Sequence, residues 1–277
     1  MDAPPRPAGA HPRSLRTSVA AGIVLAVLAV GAVAAGPPVL FTVALVVILV
    51  AQAELYAVLR AAGRTPWVMF GLVCGALLLL AAYFGGLGWV AAAVCVPLPL
   101  LLLGSVAARE ADRASVVTST WFGLLYGPFL GAFAVLLLRG RNGPVLMAAL
   151  LGVTAIFDSG GFLVGRKLGR HRMAPRTSPK KSWEGFAAGV AISVGLAVLV
   201  LPAVGPFSRW SAFRLATVLA LAAPLGDLGE SLIKRDLGVK DMGSLLPGHG
   251  GMFDRIDAIL FNAPIAYLVV RVLHWAP

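Results

Sequence analysis

Between Pro224 and Asp257 the chain concentrates side chains that could handle phosphates. Asp227, Glu230, Ser231 and Lys234 recur at i, i+3, i+4 and i+7, which places them on one face of a helix. Asp236-Leu-Gly-Val-Lys-Asp241 follows, then Met242-Gly-Ser-Leu-Leu-Pro-Gly-His-Gly-Gly251. The glycines at 243, 248, 250 and 251 allow a tight loop whose backbone amides can approach phosphate oxygens closely. Asp254-Arg255-Ile256-Asp257 then opens the next apolar run. Asp227 and Asp254 belong to different helices bridged by this loop, so the two could share a hard divalent cation. Mg²⁺ typically takes one or two carboxylates plus substrate phosphates. Taken singly, each feature has a plainer reading. Asp254 and Asp257 suit a helix N-terminus, Glu230 with Lys234 is an ordinary i,i+4 pair, and His249 could be a simple loop histidine. It is their density at a membrane edge that argues for chemistry.

A second basic segment lies upstream, Arg176-Thr-Ser-Pro-Lys-Lys-Ser-Trp-Glu-Gly185. Ser178 followed by Pro179 reads as an N-cap and first-turn pair opening a helix, whose N-terminus binds anions with help from Lys180 and Lys181. The alternative is a positively charged membrane loop with Trp183 at the interface. Asp158 sits in Phe157-Asp-Ser-Gly-Gly-Phe-Leu-Val-Gly165, as a ligand or a polar partner. Gly161, Gly165 and Gly169 recur every four residues, the spacing of closely packed helices. Glu54 stands apart in an apolar stretch, as either a functional or a paired structural carboxylate.

The elements that must position these residues are set by composition. Of 277 residues, 59% are hydrophobic and 13% charged, and mean hydropathy is +0.89. An ordinary water-soluble globule, a disordered chain and a nucleic-acid-binding domain are poor fits. With about 20 apolar residues needed to cross a bilayer, nine spans are expected, near 17–35, 38–59, 66–84, 86–104, 116–138, 144–164, 184–203, 212–232 and 256–274. Residues 1–16 read as a disordered cytoplasmic tail, 17–140 as N-terminal transmembrane helices and 141–277 as the catalytic transmembrane region. Arg13 and Arg16 before the first span also suit a signal peptide, but the run is long for one and is read as a retained helix. Of 23 Lys and Arg residues, only Arg139, Arg141, Arg209, Arg214 and Arg271 fall outside if the N-terminus is cytoplasmic. The expectation is therefore an all-α polytopic membrane protein, N-in and C-out. Eight of the twelve acidic residues lie between Asp158 and Asp257, at the cytoplasmic ends of spans or in the loops between them. Cys74 and Cys95 lie in apolar runs and read as small core residues.

The run Ser231-x-Ile233-Lys234-Arg235-x4-Lys240-Asp241-x-Gly243-x2-Leu246-Pro247-x-His249-Gly250-Gly251-Met252-x-Asp254-Arg255-Ile256-Asp257 resembles the signature of the phosphatidate cytidylyltransferases (CDP-diacylglycerol synthases) at every specified position. The Ser178 to Gly185 segment and the Asp158 to Arg166 segment look like that family's upstream elements, in the expected order. The resemblance is strong over residues 154–262 and only general before them. Gly161-Phe162 stands where the family usually has Ala-Tyr, so a hydrogen bond from that hydroxyl is not expected here.

The resemblance implies transfer of a cytidylyl group from CTP to phosphatidic acid with Mg²⁺, in a bilayer-embedded homodimer of the cell membrane whose site faces the cytoplasm. Whether a second, monovalent cation takes part is left open. It also implies roles by position. Asp227 and Asp254 are the metal ligands, with Glu230, Asp241 and Asp257 in support, and Ser231, Lys234 and Arg235 contact phosphates. Lys180 and Lys181 reach the lipid phosphate or the triphosphate, and His249 organises the loop or donates to a phosphate. Lys240 and Arg255 join the catalytic set, while Asp158, Ser178, Ser182, Glu184, Gly250 and Gly251 join Glu230 in binding substrate. Two rivals are a CTP-dependent polyprenol kinase and, in another class, a cation or proton transporter using Asp158, Glu54 and Asp227. The transporter reading lacks the internal repeats such folds commonly show.

Overall fold

The computed structural model describes residues 15–108, 110–175, 178–243, 250–272 and 274, with side chains for all of these except 15–23, 25, 179 and 180. Among the described residues nine helical segments follow one another: α1 (Leu15–Ala34), α2 (Pro37–Ala61), α3 (Val68–Gly85), α4 (Leu87–Ala107), α5 (Arg113–Leu138), α6 (Gly143–Leu168), α7 (Trp183–Val204), α8 (Arg209–Asp236) and α9 (Phe253–Tyr267). Helices α2 to α8 are each long and apolar enough to cross a membrane, so the protein is an all-α polytopic membrane protein. Helix α1 and α9, the latter extended by a π-turn at Leu268–Val272, coincide with the first and last expected spans. Large apolar side chains stand outward, Leu103 at 69% and Leu199 at 70% exposure, a surface suited to lipid.

Local chemistry sets the helix ends. Asp112, Ser182 and Ser208 cap α5, α7 and α8 by accepting the backbone N–H of Ser115, Gly185 and Ser211. Pro37 and Pro38 open α2, where their missing N–H groups would lack helical partners anyway. Pro128, deep inside α5, lies in a π-turn at Leu125–Phe129, which absorbs the absent donor without ending the helix.

One expectation is corrected here. Ser178 and Pro179 do not open a helix. They lie in β2 (Ser178–Ser182), which pairs antiparallel with β1 (Arg172–Ala174) through Arg172↔Ser182 and Ala174↔Ser178. Helix α7 therefore starts after the hairpin, with Ser182 as its cap. Pairing with β1 gives the segment backbone partners that an isolated first turn lacks.

The helices that carry the acidic residues are bound at close range. Between α6 and α7 the glycines leave no room for side chains: a Cβ on Gly185 would lie 2.7 Å from the Gly161 carbonyl oxygen and 3.0 Å from the Gly165 Cα. Both obstacles are backbone, so Gly185→Ala is expected to force the helices apart, at about 1–3 kcal/mol. Thermal unfolding in detergent checks this, and an unchanged midpoint would refute it. Asn262 of α9, fully buried, donates to Thr154 Oγ1 of α6 at 3.0 Å and to the Leu219 carbonyl of α8 at 3.2 Å. This one amide holds three helices in register. In the N-terminal half, the Tyr56 hydroxyl of α2 donates to the Thr120 carbonyl of α5 at 2.7 Å, and Gln52 donates to the Gly71 carbonyl of α3 at 2.9 Å.

Candidate active site

The end of α8 presents Asp227, Glu230 and Lys234 along one stripe, as their spacing requires. Lys234 bridges two buried carboxylates. Its Nζ donates to Glu230 Oε2 at 2.8 Å and to Asp254 Oδ1, at the start of α9, at 2.9 Å. Glu230 is only 1% exposed, and its Oε1 has no hydrogen-bond partner among the described residues.

Asp254 is largely committed to the turn that precedes it. Its carboxylate accepts the Gly251 amide at 2.7 Å and the Met242 amide at 3.0 Å, besides Lys234. Gly250 lies at φ +81, and a Cβ there would sit 2.9 Å from Asp254 Oδ2, so only glycine lets the backbone pass.

Asp227 and Asp254 border a cavity of about 690 Å³ at the hairpin end of α6 to α9. Asp158, Asp227, Asp254 and Asp257 line it together with Arg166, Arg172, Lys181 and Arg255, and Phe157, Phe162 and Phe186 add apolar surface. Lys181, on β2, pairs with Asp227. Carboxylate oxygens of Asp227, Glu230 and Asp257 lie within 4.8 Å of one another. Three oxygen donors, one with an atom left over, suit a hard cation such as Mg²⁺. The geometry thus gathers Asp257 and Glu230 around Asp227 rather than Asp254 alone.

The remaining expected residues are placed differently. Ser178 and Ser182 line the cavity with Lys181. Ser231, Arg235, Lys240 and Asp241 lie off its wall, and buried Gly250 and Gly251 shape the turn behind it. Glu184 faces the hairpin instead: it accepts the Arg170 and His171 amides at 3.1 Å and contacts His171 Nδ1 at 2.6 Å. His249 and the Lys180 side chain lie outside the described residues. Sequence reasoning missed Arg172, whose strand is too short to show alternation, and the three-phenylalanine flank, whose members are scattered over α6 and α7.

A helical membrane protein with a carboxylate- and cation-lined cavity where helix ends and a hairpin meet belongs to the class of bilayer enzymes that act on phosphorylated substrates. The family described as the cytidylyltransferase family matches residues 16–273, and the chain belongs to it. A phosphatidate cytidylyltransferase of Mycobacterium bovis is 34% identical, over 94% of this chain and 90% of its own. Phosphatidate cytidylyltransferase 5, chloroplastic, of Arabidopsis thaliana is 33% identical, over 88% of this chain and 69% of its own. A Brucella suis phosphatidate cytidylyltransferase is 40% identical over 53% of this chain and 54% of its own.

Proposed function

We infer that this protein transfers the cytidylyl group of CTP to phosphatidic acid, giving CDP-diacylglycerol and pyrophosphate. The observation that carries the reading is the cavity itself. Carboxylates beside a possible cation site, side chains able to neutralise phosphates and aromatic, lipid-compatible surface all line one cavity. Family membership supports the same reaction.

A phosphate oxygen of phosphatidic acid attacks the α-phosphorus of CTP. A new P–O bond forms as the bond from the α-phosphorus to the bridging oxygen breaks, and pyrophosphate leaves in line. Such transfers need positioning and charge neutralisation more than covalent help. The attacking phosphate is already largely ionised near neutral pH, so no strong general base is required. Lys181, on β2, and Arg255, at the start of α9, are proposed to orient the two phosphate-bearing substrates in the cavity. Lys234 holds Glu230 and Asp254 in place from below.

Asp227, Asp257 and Glu230 are proposed to hold Mg²⁺, with Asp254 fixing the adjoining turn. Bound there, the ion would draw negative charge from phosphate oxygens. The basic hairpin and the Lys234-Arg235 end of α8 support a site facing the cytoplasm with the N-terminus on that side. The homodimer implied by the resemblance belongs to the same proposal, and mass measurement in detergent tests it.

Product analysis tests the function. Purified protein is given phosphatidic acid and α-labelled CTP, with and without Mg²⁺. Label in a chloroform-soluble lipid, with Mg²⁺-dependent pyrophosphate release, is expected. Label only in free CDP would instead identify a lipid kinase. Folded protein inactive with several lipid acceptors would overturn the enzyme reading.

A further inference from the structure

Helix α9 begins without a cap of its own. Its N-cap position, Met252, makes no side-chain bond to the first turn. The missing acceptor comes from the other end of the sequence: Glu54 of α2 accepts the Phe253 amide on Oε2 at 2.9 Å, across 199 positions. The carboxylate is wedged between Gly243 and Gly251. A Cβ on Gly251 would meet Glu54 Oε2 and come within 2.7 Å of the Gly243 amide nitrogen, and one on Gly243 would meet Glu54 Oε1. Phe253 is fully buried, its ring 4.9 Å from that of Tyr126 on α5. The first turn of α9 is thus held on one side by aromatic packing and on the other by a carboxylate. That turn carries Asp254, and one turn further Asp257.

We infer that Glu54 is a positioning residue for cytidylyl transfer: from the N-terminal half it fixes where α9 starts, and so where Asp254 and Asp257 stand relative to Asp227. The inference rests on the reading that these carboxylates serve the reaction. An uncapped first amide could be met by water or by a shifted turn, and either would move α9. A displacement of the order of an ångström at reacting groups costs about 10²-fold in rate. A carboxylate also suits the positive end of the α9 dipole, which explains an acid here in place of a neutral acceptor.

Reach and charge separate in two variants. Glu54→Gln keeps the length and an acceptor oxygen, while Glu54→Asp keeps the charge but stops one methylene short. Full-length protein is compared with the parent for kcat, KM for phosphatidic acid and the Mg²⁺ concentration at half-maximal rate. Glu54→Asp and Glu54→Ala are expected to lose about 10²-fold in kcat and to need more Mg²⁺, with KM for phosphatidic acid unchanged. Glu54→Gln should stay within about fivefold of the parent, the rate equivalent of losing a dipole-facing charge. Three results overturn the inference. One is Glu54→Asp matching or exceeding Glu54→Gln. Another is Glu54→Ala turning over like the parent. The third is variants that merely contain less active enzyme, with the Mg²⁺ dependence of the remainder unaltered. If Glu54→Ala does not fold, the Gln and Asp pair decides alone. A parent that makes no CDP-diacylglycerol counts against the reading of the function, whereas parent activity with unaffected variants counts against Glu54 alone.

Discussion

Asp227→Asn is expected to lower kcat about 10³-fold, equivalent to about 4 kcal/mol of transition-state stabilisation. Among the described residues, Asp227 is the one carboxylate that lines the cavity, lies near both Glu230 and Asp257, and also pairs with Lys181 of the hairpin. Replacing one of its oxygens by an amide NH₂ removes a hard donor and puts a dipole of the wrong sign beside any cation. The expected signature is a fall in kcat with a raised Mg²⁺ requirement and an undiminished melting temperature. Asp236→Asn, at the exposed end of the same helix, removes the same charge outside the site and should leave turnover unchanged. Turnover of Asp227→Asn close to the parent's, at unchanged Mg²⁺ demand, would refute the assignment. Comparing Asp254→Asn with Asp257→Asn then separates the two descriptions of the metal site. A donor lost at Asp257 should shift Mg²⁺ dependence directly. A change at Asp254 acts through the Met242 and Gly251 amides that it holds.

Lys234→Met should act first on stability. The ammonium sits within 2.8 Å and 2.9 Å of two carboxylates, with its side chain 15% exposed and theirs 1% and 5%. Removing it leaves two like charges in a poorly solvated place with no cation between them. Breaking a buried pair by deleting one partner costs about 3–5 kcal/mol. Methionine replaces the aliphatic stem, so most of the loss is electrostatic. Adding Glu230→Gln to the lysine variant removes one stranded charge and should restore part of the melting temperature. The four proteins of that cycle, each melted in detergent, isolate the coupling between the two residues. Identical melting of Lys234→Met and the parent would show that the bridge contributes nothing.

What could be read ahead of the structure followed from local rules. A bilayer needs long apolar runs, so among the described residues seven of the nine expected spans fall on helices long and apolar enough to cross it, while the first and last coincide with helices α1 and α9. The stripe Asp227, Glu230, Lys234 was legible because helix geometry alone aligns it. The glycines of α6 were legible as contact points for the same reason. Contacts across the chain were not. Ser178 and Pro179 carry good helix-start chemistry, yet pairing with Arg172–Ala174 makes them a strand. Nothing near Glu184 in the sequence reveals that two amides of the hairpin turn toward it. Asp257 joins Asp227 only because Asn262 and its neighbours seat α9 against α8. Glu54 looked isolated because its partner lies 199 positions away.

Phe162 lines the cavity yet is 62% exposed, on a helix whose neighbouring outward residue, Leu163, is 60% exposed. An exposed residue in the lining would give a lipid acceptor, on the proposed function, a lateral way in. By that way the acceptor would reach the carboxylates while drifting within its own leaflet. Its supply is governed by crowding in two dimensions, the mole fraction of phosphatidate among its neighbours, whereas CTP arrives from bulk water in three. On the proposed function the two substrates are thus counted in different units, one as a mole fraction in the membrane and one as a concentration in water.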